Sequence, residues 1–142
     1  MASIRILIVE DSQPWRRAIR STLEEAPDLV VVCECVDGLD AIRKSEQLQP
    51  DLVMLDIGLP SINGFEAARG IRKVAPRSKI LFLTACLSGD LVHEAFQVGA
   101  LGYVVKSNAA SDLLSAVDAV MRDRRFVSSG VMPLGPDRTS PF

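Results

Sequence analysis

The stretch DLVMLDIGLP, residues 51–60, ends a run of apolar side chains with a carboxylate. Four consecutive apolar residues are typical of a strand that is buried on both faces of a sheet. Asp56 follows them directly, and Gly58 and Pro60 then break the pattern. A carboxylate in an apolar environment destabilises a fold unless other groups pair with it. The stretch therefore predicts a buried strand whose end reaches a site lined by other polar groups.

Strand-like apolar runs alternate with helical patterns on both sides of this stretch. Five strands are predicted, at residues 4–10, 29–36, 51–57, 79–85 and 102–106. Apolar residues at helical spacing follow each strand, and Asn63 with Glu66 forms a capping-box variant at the start of the third helix. This alternation predicts one α/β domain, a three-layer sandwich with a five-stranded parallel sheet between helices.

The composition excludes several classes of protein. The net charge of −2 gives no basic surface of the kind that nucleic-acid binding proteins present. The apolar runs are too short to span a membrane, and the N-terminus lacks a signal-peptide pattern, so we expect a cytoplasmic protein. Three cysteines are an odd, low number, which favours free thiols over disulfides or a zinc site.

Polar residues follow four of the predicted strands. Ligands of open parallel sheets bind outside the carboxyl ends of the strands, which share one rim. The side chains expected at that rim are Glu10, Asp11, Asp56, Thr84 and Lys106. Three neighbouring carboxylates repel one another, and Mg²⁺ relieves such repulsion. A hydroxyl and an ammonium group complete the parts that phosphoryl transfer requires, with Asp56 as the candidate nucleophile.

This set of residues, in this order, resembles the receiver domain of two-component response regulators. The segments DLVMLDIGLPSINGFEA (51–67), ILFLTA (80–85) and GALGYVVKS (99–107) are also similar to receiver segments. The last of these, with FVSS at 126–129, looks most like the LuxR-type (LuxR/NarL/FixJ) subfamily. The resemblance covers about residues 4–125 and implies a flavodoxin-like, CheY-like (βα)5 fold with strand order 2-1-3-4-5.

The resemblance also implies a role for each residue of the rim. Asp56 would accept a phosphoryl group from a histidine kinase or a phosphotransfer protein, and Thr84 and Lys106 would contact the phosphoryl oxygens. Tyr103 would be the switch aromatic that turns inward when Thr84 moves; the alternative is a static aromatic at an exposed position. The implied Mg²⁺ ligands are Glu10, Asp11, Asp56 and the backbone carbonyl of Gly58. Phosphorylation could drive homodimer formation, and the only catalysis implied is the domain's own phosphorylation and dephosphorylation.

The end of the chain differs from the rest. Residues 126–142 are rich in Gly, Pro and Ser and lose periodicity, which predicts a flexible tail or a truncated linker after a receiver domain at 1–125. They are too few to form the helix-turn-helix domain of LuxR-type regulators. We therefore expect no direct nucleic-acid binding by this chain.

Three other functions fit these residues less well. A phosphohydrolase of the haloacid-dehalogenase type needs a second acidic residue two positions after the nucleophile, where this chain has Gly58. A nucleotide or flavin binder would have a glycine-rich first βα turn, where this chain has EDSQPW at 10–15. A degenerate receiver that binds partners without phosphorylation is disfavoured by the complete set of rim residues.

The first predicted helix carries four further residues of interest. Trp15 has the spacing of the core face, and we expect it to pack at the edge of the site. Arg16, Arg17 and Arg20 are expected on a solvated face, and docking of the kinase is the alternative role for them.

Overall fold

The computed structural model of the protein describes residues 3–86 and 88–129. These residues form six strands: β1 (Ile4–Val9), β2 (Leu29–Cys35), β3 (Leu52–Leu55), β4 (Lys79–Thr84), β5 (Gly102–Val105) and β6 (Phe126–Val127). They also form five α-helices: α1 (Gln13–Leu23), α2 (Gly38–Leu48), α3 (Gly64–Val74), α4 (Gly89–Gln97) and α5 (Ala109–Met121). A 3-10 turn, Lys106–Asn108, connects β5 to α5.

The strands form one parallel sheet in the order β2-β1-β3-β4-β5-β6. The parallel α/β architecture is confirmed, and the strand number is corrected from five to six. Phe126 pairs with Gly102, and Val127 pairs with Tyr103. The first residues of the predicted tail therefore belong to the sheet, because the edge of β5 offers them backbone partners. Positions 130–142 of that tail lie outside the described residues.

Alternate residues of each strand face opposite layers of helices. In β3, Leu52 and Met54 pack against α1 and α5, while Val53 and Leu55 pack against α2, α3 and α4. All four side chains are at most 1% exposed. The apolar run is thus the central strand of a doubly wound fold, and its burial fixes where Asp56 leaves the sheet.

The start of α3 shows how local sequence positions the loop after β3. Asn63 Oδ1 accepts from the backbone N–H of Glu66 at 2.9 Å, and the N–H of Asn63 donates to Glu66 Oε1 at 3.4 Å. This capping box was predicted and is confirmed. The N–H of Gly64 donates to the carbonyl of Ile57 at 2.7 Å. The first turn of α3 therefore packs directly against the backbone that carries Asp56.

Within the described part of the chain, no helix combines the length and the apolar character that crossing a bilayer requires.

Candidate functional site

Four strands end side by side, and the residues that follow them line one rim of the sheet. Glu10 comes directly after β1, Asp56 after β3 and Lys106 after β5, while Thr84 is the last residue of β4. The backbone N–H of Asp56 donates to the carbonyl of Val9 at 3.1 Å, which places Asp56 beside the end of β1. The predicted convergence of polar residues at this rim is what the fold produces.

Lys106 joins two of the carboxylates. Its Nζ lies 2.7 Å from Glu10 Oε1 and 3.2 Å from Asp56 Oδ2. The side chain of Lys106 is only 7% exposed, and those of Glu10 and Asp56 are 2% and 12% exposed. Burial raises the pKa of Glu10, and the hydrogen bond from Lys106 opposes that rise. Burial alone would lower the pKa of Lys106, but the hydrogen bond to Glu10 and the charge of Asp56 outweigh it and raise that pKa.

Three carboxylates form an acidic cluster at the rim. One oxygen from each of Glu10, Asp11 and Asp56 lies within 4.8 Å of the others, and Asp11 is exposed. Glu10 Oε2 accepts from the N–H of Ser12 at 2.9 Å, and Asp56 Oδ1 accepts from the N–H of Ile57 at 2.7 Å. These bonds orient both side chains. An all-oxygen cluster with one open side fits a hard cation such as Mg²⁺, which keeps several of its own water ligands.

The loop after Asp56 leaves room beside this cluster. A Cβ atom added at Gly58 would meet nothing within 4 Å. Neither packing nor a left-handed backbone requires glycine there, so the position is open rather than strained. The role of the Gly58 carbonyl as a metal ligand stays a prediction.

Thr84 and Tyr103 are both buried next to the rim. Thr84 is 2% exposed and Tyr103 is 0% exposed. The hydroxyl of Tyr103 donates to the carbonyl of Cys86 at 3.0 Å, which ties β5 to the loop after β4. Burial raises the pKa of Tyr103, and the nearby Cys86 and Asp56 add to that rise. The alternative of an aromatic at an exposed sheet position is therefore wrong, since the ring points into the core.

The family described as "Response regulator receiver domain" matches residues 6–118, which is most of the chain. The chain belongs to this family. The predicted resemblance is confirmed, and so is the role it implies: this receiver is a phosphorylation-dependent signalling domain of a two-component system.

Relatives of this receiver are response regulators. The chain is 30% identical over 128 residues to the transcriptional regulatory protein LiaR of Bacillus subtilis, and 36% identical over 115 residues to the response regulator protein VraR of Staphylococcus epidermidis. These matches cover 90% and 81% of the receiver chain, but only 61% and 55% of LiaR and VraR. The receiver thus spans little more than half the length of these curated relatives.

A solved structure supports the LuxR-type assignment. The crystal structure of a two-component response regulator of the LuxR family from Aurantimonas is 33% identical, with a TM-score of 0.84. The match covers 96% of this receiver and 92% of that chain. Receiver domains bind Mg²⁺ at an acidic pocket and generally partner a histidine kinase, and the acidic cluster lies where such a pocket is expected.

The contacts of α1 differ from the prediction that its arginines lie on a solvated face. Arg16 Nη1 donates to the carbonyl of Glu10 at 2.8 Å, and its Nε lies 3.4 Å from Glu34 Oε1. Arg20 Nε lies 2.7 Å from Glu34 Oε2. Arg16, whose side chain is 18% exposed, is thus bound to the residue after β1 and to β2 rather than solvated. Arg20, 42% exposed, pairs with β2 at the surface, and Arg17 is exposed as expected. Trp15 packs at the edge of the site, as predicted, with its ring 5.2 Å from Lys106 Nζ.

Ser128 is a residue of the receiver that sequence reasoning did not single out. It lies directly after β6 and is 3% exposed. Its hydroxyl oxygen accepts from the N–H of Val105 at 3.0 Å, and its own N–H donates to the carbonyl of Tyr103 at 2.9 Å. The FVSS segment contains this serine, but a two-residue strand is too short to give a periodic pattern from which its burial could be predicted.

Proposed function

We propose that Asp56 is the phosphoacceptor of this receiver. Its carboxylate sits at the end of the central strand, with Oδ1 oriented by Ile57 and Oδ2 facing Lys106. The observation that carries the proposal is the position of Lys106 Nζ between Glu10 and Asp56. From there the ammonium group can pair with the negative charge of a phosphoryl group added to Asp56.

Glu10, Asp11 and Asp56 would hold Mg²⁺, with the carbonyl of Gly58 as a further ligand. When bound, the cation neutralises charge on the phosphoryl oxygens and helps to align donor and acceptor. The donor set supports this assignment, because the negative charges of three carboxylates within 4.8 Å outnumber the one positive charge that Lys106 supplies. Site occupancy by Mg²⁺ should therefore relieve repulsion among them.

The transfer step is an in-line displacement at phosphorus. An Asp56 carboxylate oxygen attacks the phosphorus of a donor phosphohistidine, the new P–O bond forms, and the P–N bond breaks. The electron pair of that bond returns to the donor imidazole. Lys106 contacts one phosphoryl oxygen through Nζ, and the hydroxyl of Thr84 donates a hydrogen bond to another. Positioning and charge stabilisation account for most of the catalysis in such a site.

The conformational response would involve Thr84 and Tyr103. Thr84 moves toward the phosphoryl group, and the space beside it favours the inward position of the Tyr103 ring. That inward position, with the hydroxyl on the carbonyl of Cys86, is the arrangement described above. Phosphorylation would then shift a population between two states rather than create a new one.

The wider context of the receiver follows from this chemistry. Its partner would be a histidine kinase or a phosphotransfer protein in the cytoplasm, with helix α1 as a candidate docking surface around Arg17. Its catalysis would be limited to its own phosphorylation and dephosphorylation. Phosphorylation would also promote homodimer formation. We expect no direct nucleic-acid binding by the described residues, although the relatives of the chain include a transcriptional regulatory protein.

The test is incubation of the protein with acetyl phosphate and Mg²⁺, followed by intact-mass measurement. We expect one phosphoryl adduct on the wild type, no adduct on Asp56→Asn, and a full adduct on Glu25→Gln, which changes an exposed carboxylate away from the rim. Chelation of Mg²⁺ should suppress the reaction. An undiminished adduct on Asp56→Asn would overturn the proposal, and no adduct on the wild type would do the same.

A further inference from the structure

The segment that follows α5 is attached to the end of β5 by side chains as well as by strand pairing. We call residues 126–129 the β6 segment. Its strand pairs with only two residues of β5, Gly102 and Tyr103. Beyond that pairing, the N–H of Val105 points toward the β6 side without a third strand residue to meet it. The hydroxyl oxygen of Ser128 accepts this N–H at 3.0 Å and takes the place of a backbone carbonyl.

Three hydrogen bonds join the β6 segment to residues that come before and after Lys106 in the chain. Tyr103 accepts from the N–H of Ser128 at 2.9 Å, and Val105 donates to the Ser128 hydroxyl. On the other side of Lys106, the side-chain amide of Asn108 donates to the carbonyl of Ser129 at 3.0 Å. The chain on both sides of the lysine is therefore attached to the same short segment, through its backbone before Lys106 and through a side chain after it.

The placement of Lys106 depends on that backbone. Lys106 opens a 3-10 turn and is not part of the β5 ladder, so sheet pairing alone does not fix its Cα. Its Nζ must nevertheless reach both Glu10 Oε1 and Asp56 Oδ2. A site of this kind works only when supporting residues fix its groups to within about 0.5 Å.

We propose that Ser128 is a positioning residue for Lys106. Through the Val105 N–H it fixes the Val104–Val105 peptide, one residue before the lysine, and so it helps to place Nζ where a phosphoryl group on Asp56 needs a cation. This inference rests on the proposed function, because it assigns Ser128 a part in the chemistry of Asp56 and Lys106. The hydroxyl itself contacts no reacting atom.

The principal test compares Ser128→Ala with Ser129→Ala in the full chain. Ser128→Ala leaves the buried N–H of Val105 without its acceptor, whereas Ser129 is exposed and its carbonyl, which contacts Asn108, is retained in alanine. With acetyl phosphate and Mg²⁺ at saturation, Ser128→Ala should lower the phosphorylation rate constant about three- to tenfold, the size of one lost hydrogen bond. The Mg²⁺ and acetyl phosphate concentrations for half-maximal rate should stay within about twofold of the wild type.

Two further measurements separate positioning from general loss of structure. Ser128→Thr retains the hydroxyl and should restore most of the rate, while circular dichroism should show both variants folded at the assay temperature. Equal slowing by Ser129→Ala, no slowing by Ser128→Ala, or no rescue by threonine would overturn the proposal. A rise in the half-maximal Mg²⁺ concentration as large as the loss in rate would do so too, because it would indicate a distorted acidic cluster.

Failure of the proposed function can be recognised separately. If the wild type accepts no phosphoryl group, the position of Lys106 can still be read from its acylation by an amine-reactive ester, with exposed Lys73 as the internal reference. The ion-paired Lys106 should react slowly in the wild type and several times faster in Ser128→Ala. Unchanged acylation of Lys106 in Ser128→Ala would contradict the positioning role, whatever the fate of Asp56.

Discussion

The indole ring of Trp15 lies 5.2 Å from Lys106 Nζ, so α1 places an aromatic face against the cation that pairs with Asp56. The ring quadrupole attracts such a cation. Trp15 is the single tryptophan of the chain. Its fluorescence therefore reports on one position only, and that position is next to the proposed phosphoryl site.

We expect Trp15 emission to change when beryllium fluoride and Mg²⁺ are added together. A phosphoryl analogue on Asp56 draws the Lys106 ammonium toward itself and alters the field at the indole. The change should saturate with beryllium fluoride and should be absent in Asp56→Asn. Unchanged emission in a sample that intact mass shows to be fully phosphorylated by acetyl phosphate would contradict this prediction.

Replacing Lys106 with alanine should destabilise the protein most when Mg²⁺ is absent. The variant leaves the buried Glu10 carboxylate, 2% exposed, without its cationic partner. Breaking a buried ion pair costs about 3–5 kcal/mol, and the rim position of this pair favours the lower end, about 3 kcal/mol. Millimolar Mg²⁺ should recover part of the loss, because it binds the folded acidic cluster in place of the lysine.

Urea unfolding with and without Mg²⁺ measures this difference, and Lys73→Ala is the matched control because Lys73 is exposed on α3. The free energy of unfolding of Lys73→Ala should stay within about 0.5 kcal/mol of the wild type. Equal stability of Lys106→Ala and the wild type in chelator would mean that the ion pair contributes nothing.

The rim could be predicted from the sequence because each strand is a local apolar run and parallel strands end at one edge. The predicted bounds extend too far at that edge, since β1, β3 and β5 stop at Val9, Leu55 and Val105. The polar residues that follow lie just beyond these bounds, where their side chains contact one another, as Lys106 does with Glu10.

The features that sequence reasoning missed depend on partners far along the chain. The sequence predicts a solvated Arg16 because its acceptors are distant from one another in the chain: the Glu10 carbonyl follows β1, and Glu34 lies in β2. The strand β6 has two residues, too few for any periodic pattern, and it forms only because the edge of β5 is free to pair. Neither contact has a local signal in the sequence around it.

Gly64 should tolerate alanine poorly, whereas Gly58 should accept it. A Cβ at Gly64 would overlap the carbonyl oxygen of Asp56, but a Cβ at Gly58 would meet nothing within 4 Å. Overpacking of this kind costs about 1–3 kcal/mol, and here it also displaces the backbone of the proposed phosphoacceptor. Gly64→Ala should therefore lose both stability and phosphorylation rate.

The comparison is made by thermal unfolding and by the acetyl phosphate reaction on both variants. The added Cβ of Gly58→Ala meets nothing within 4 Å, so its stability should stay near that of the wild type, and the variant keeps its backbone carbonyl. Similar losses in the two variants would show that the close approach of α3 to Asp56 is not what makes Gly64 necessary.

Arg16→Lys should weaken Mg²⁺ binding without changing the net charge of the receiver. The guanidinium contacts both the Glu10 carbonyl and Glu34, and one lysine ammonium cannot reproduce that planar geometry. Groups that orient metal ligands typically contribute about tenfold or more to metal affinity. Arg16 contacts a backbone carbonyl next to the ligand carboxylate rather than the carboxylate itself, so we expect Mg²⁺ affinity to fall roughly two- to tenfold.

Arg17→Lys, on the exposed face of the same helix, is the control. Trp15 fluorescence during a Mg²⁺ titration gives the half-saturation point of each variant, and an unshifted midpoint in Arg16→Lys would remove Arg16 from the support of the acidic cluster.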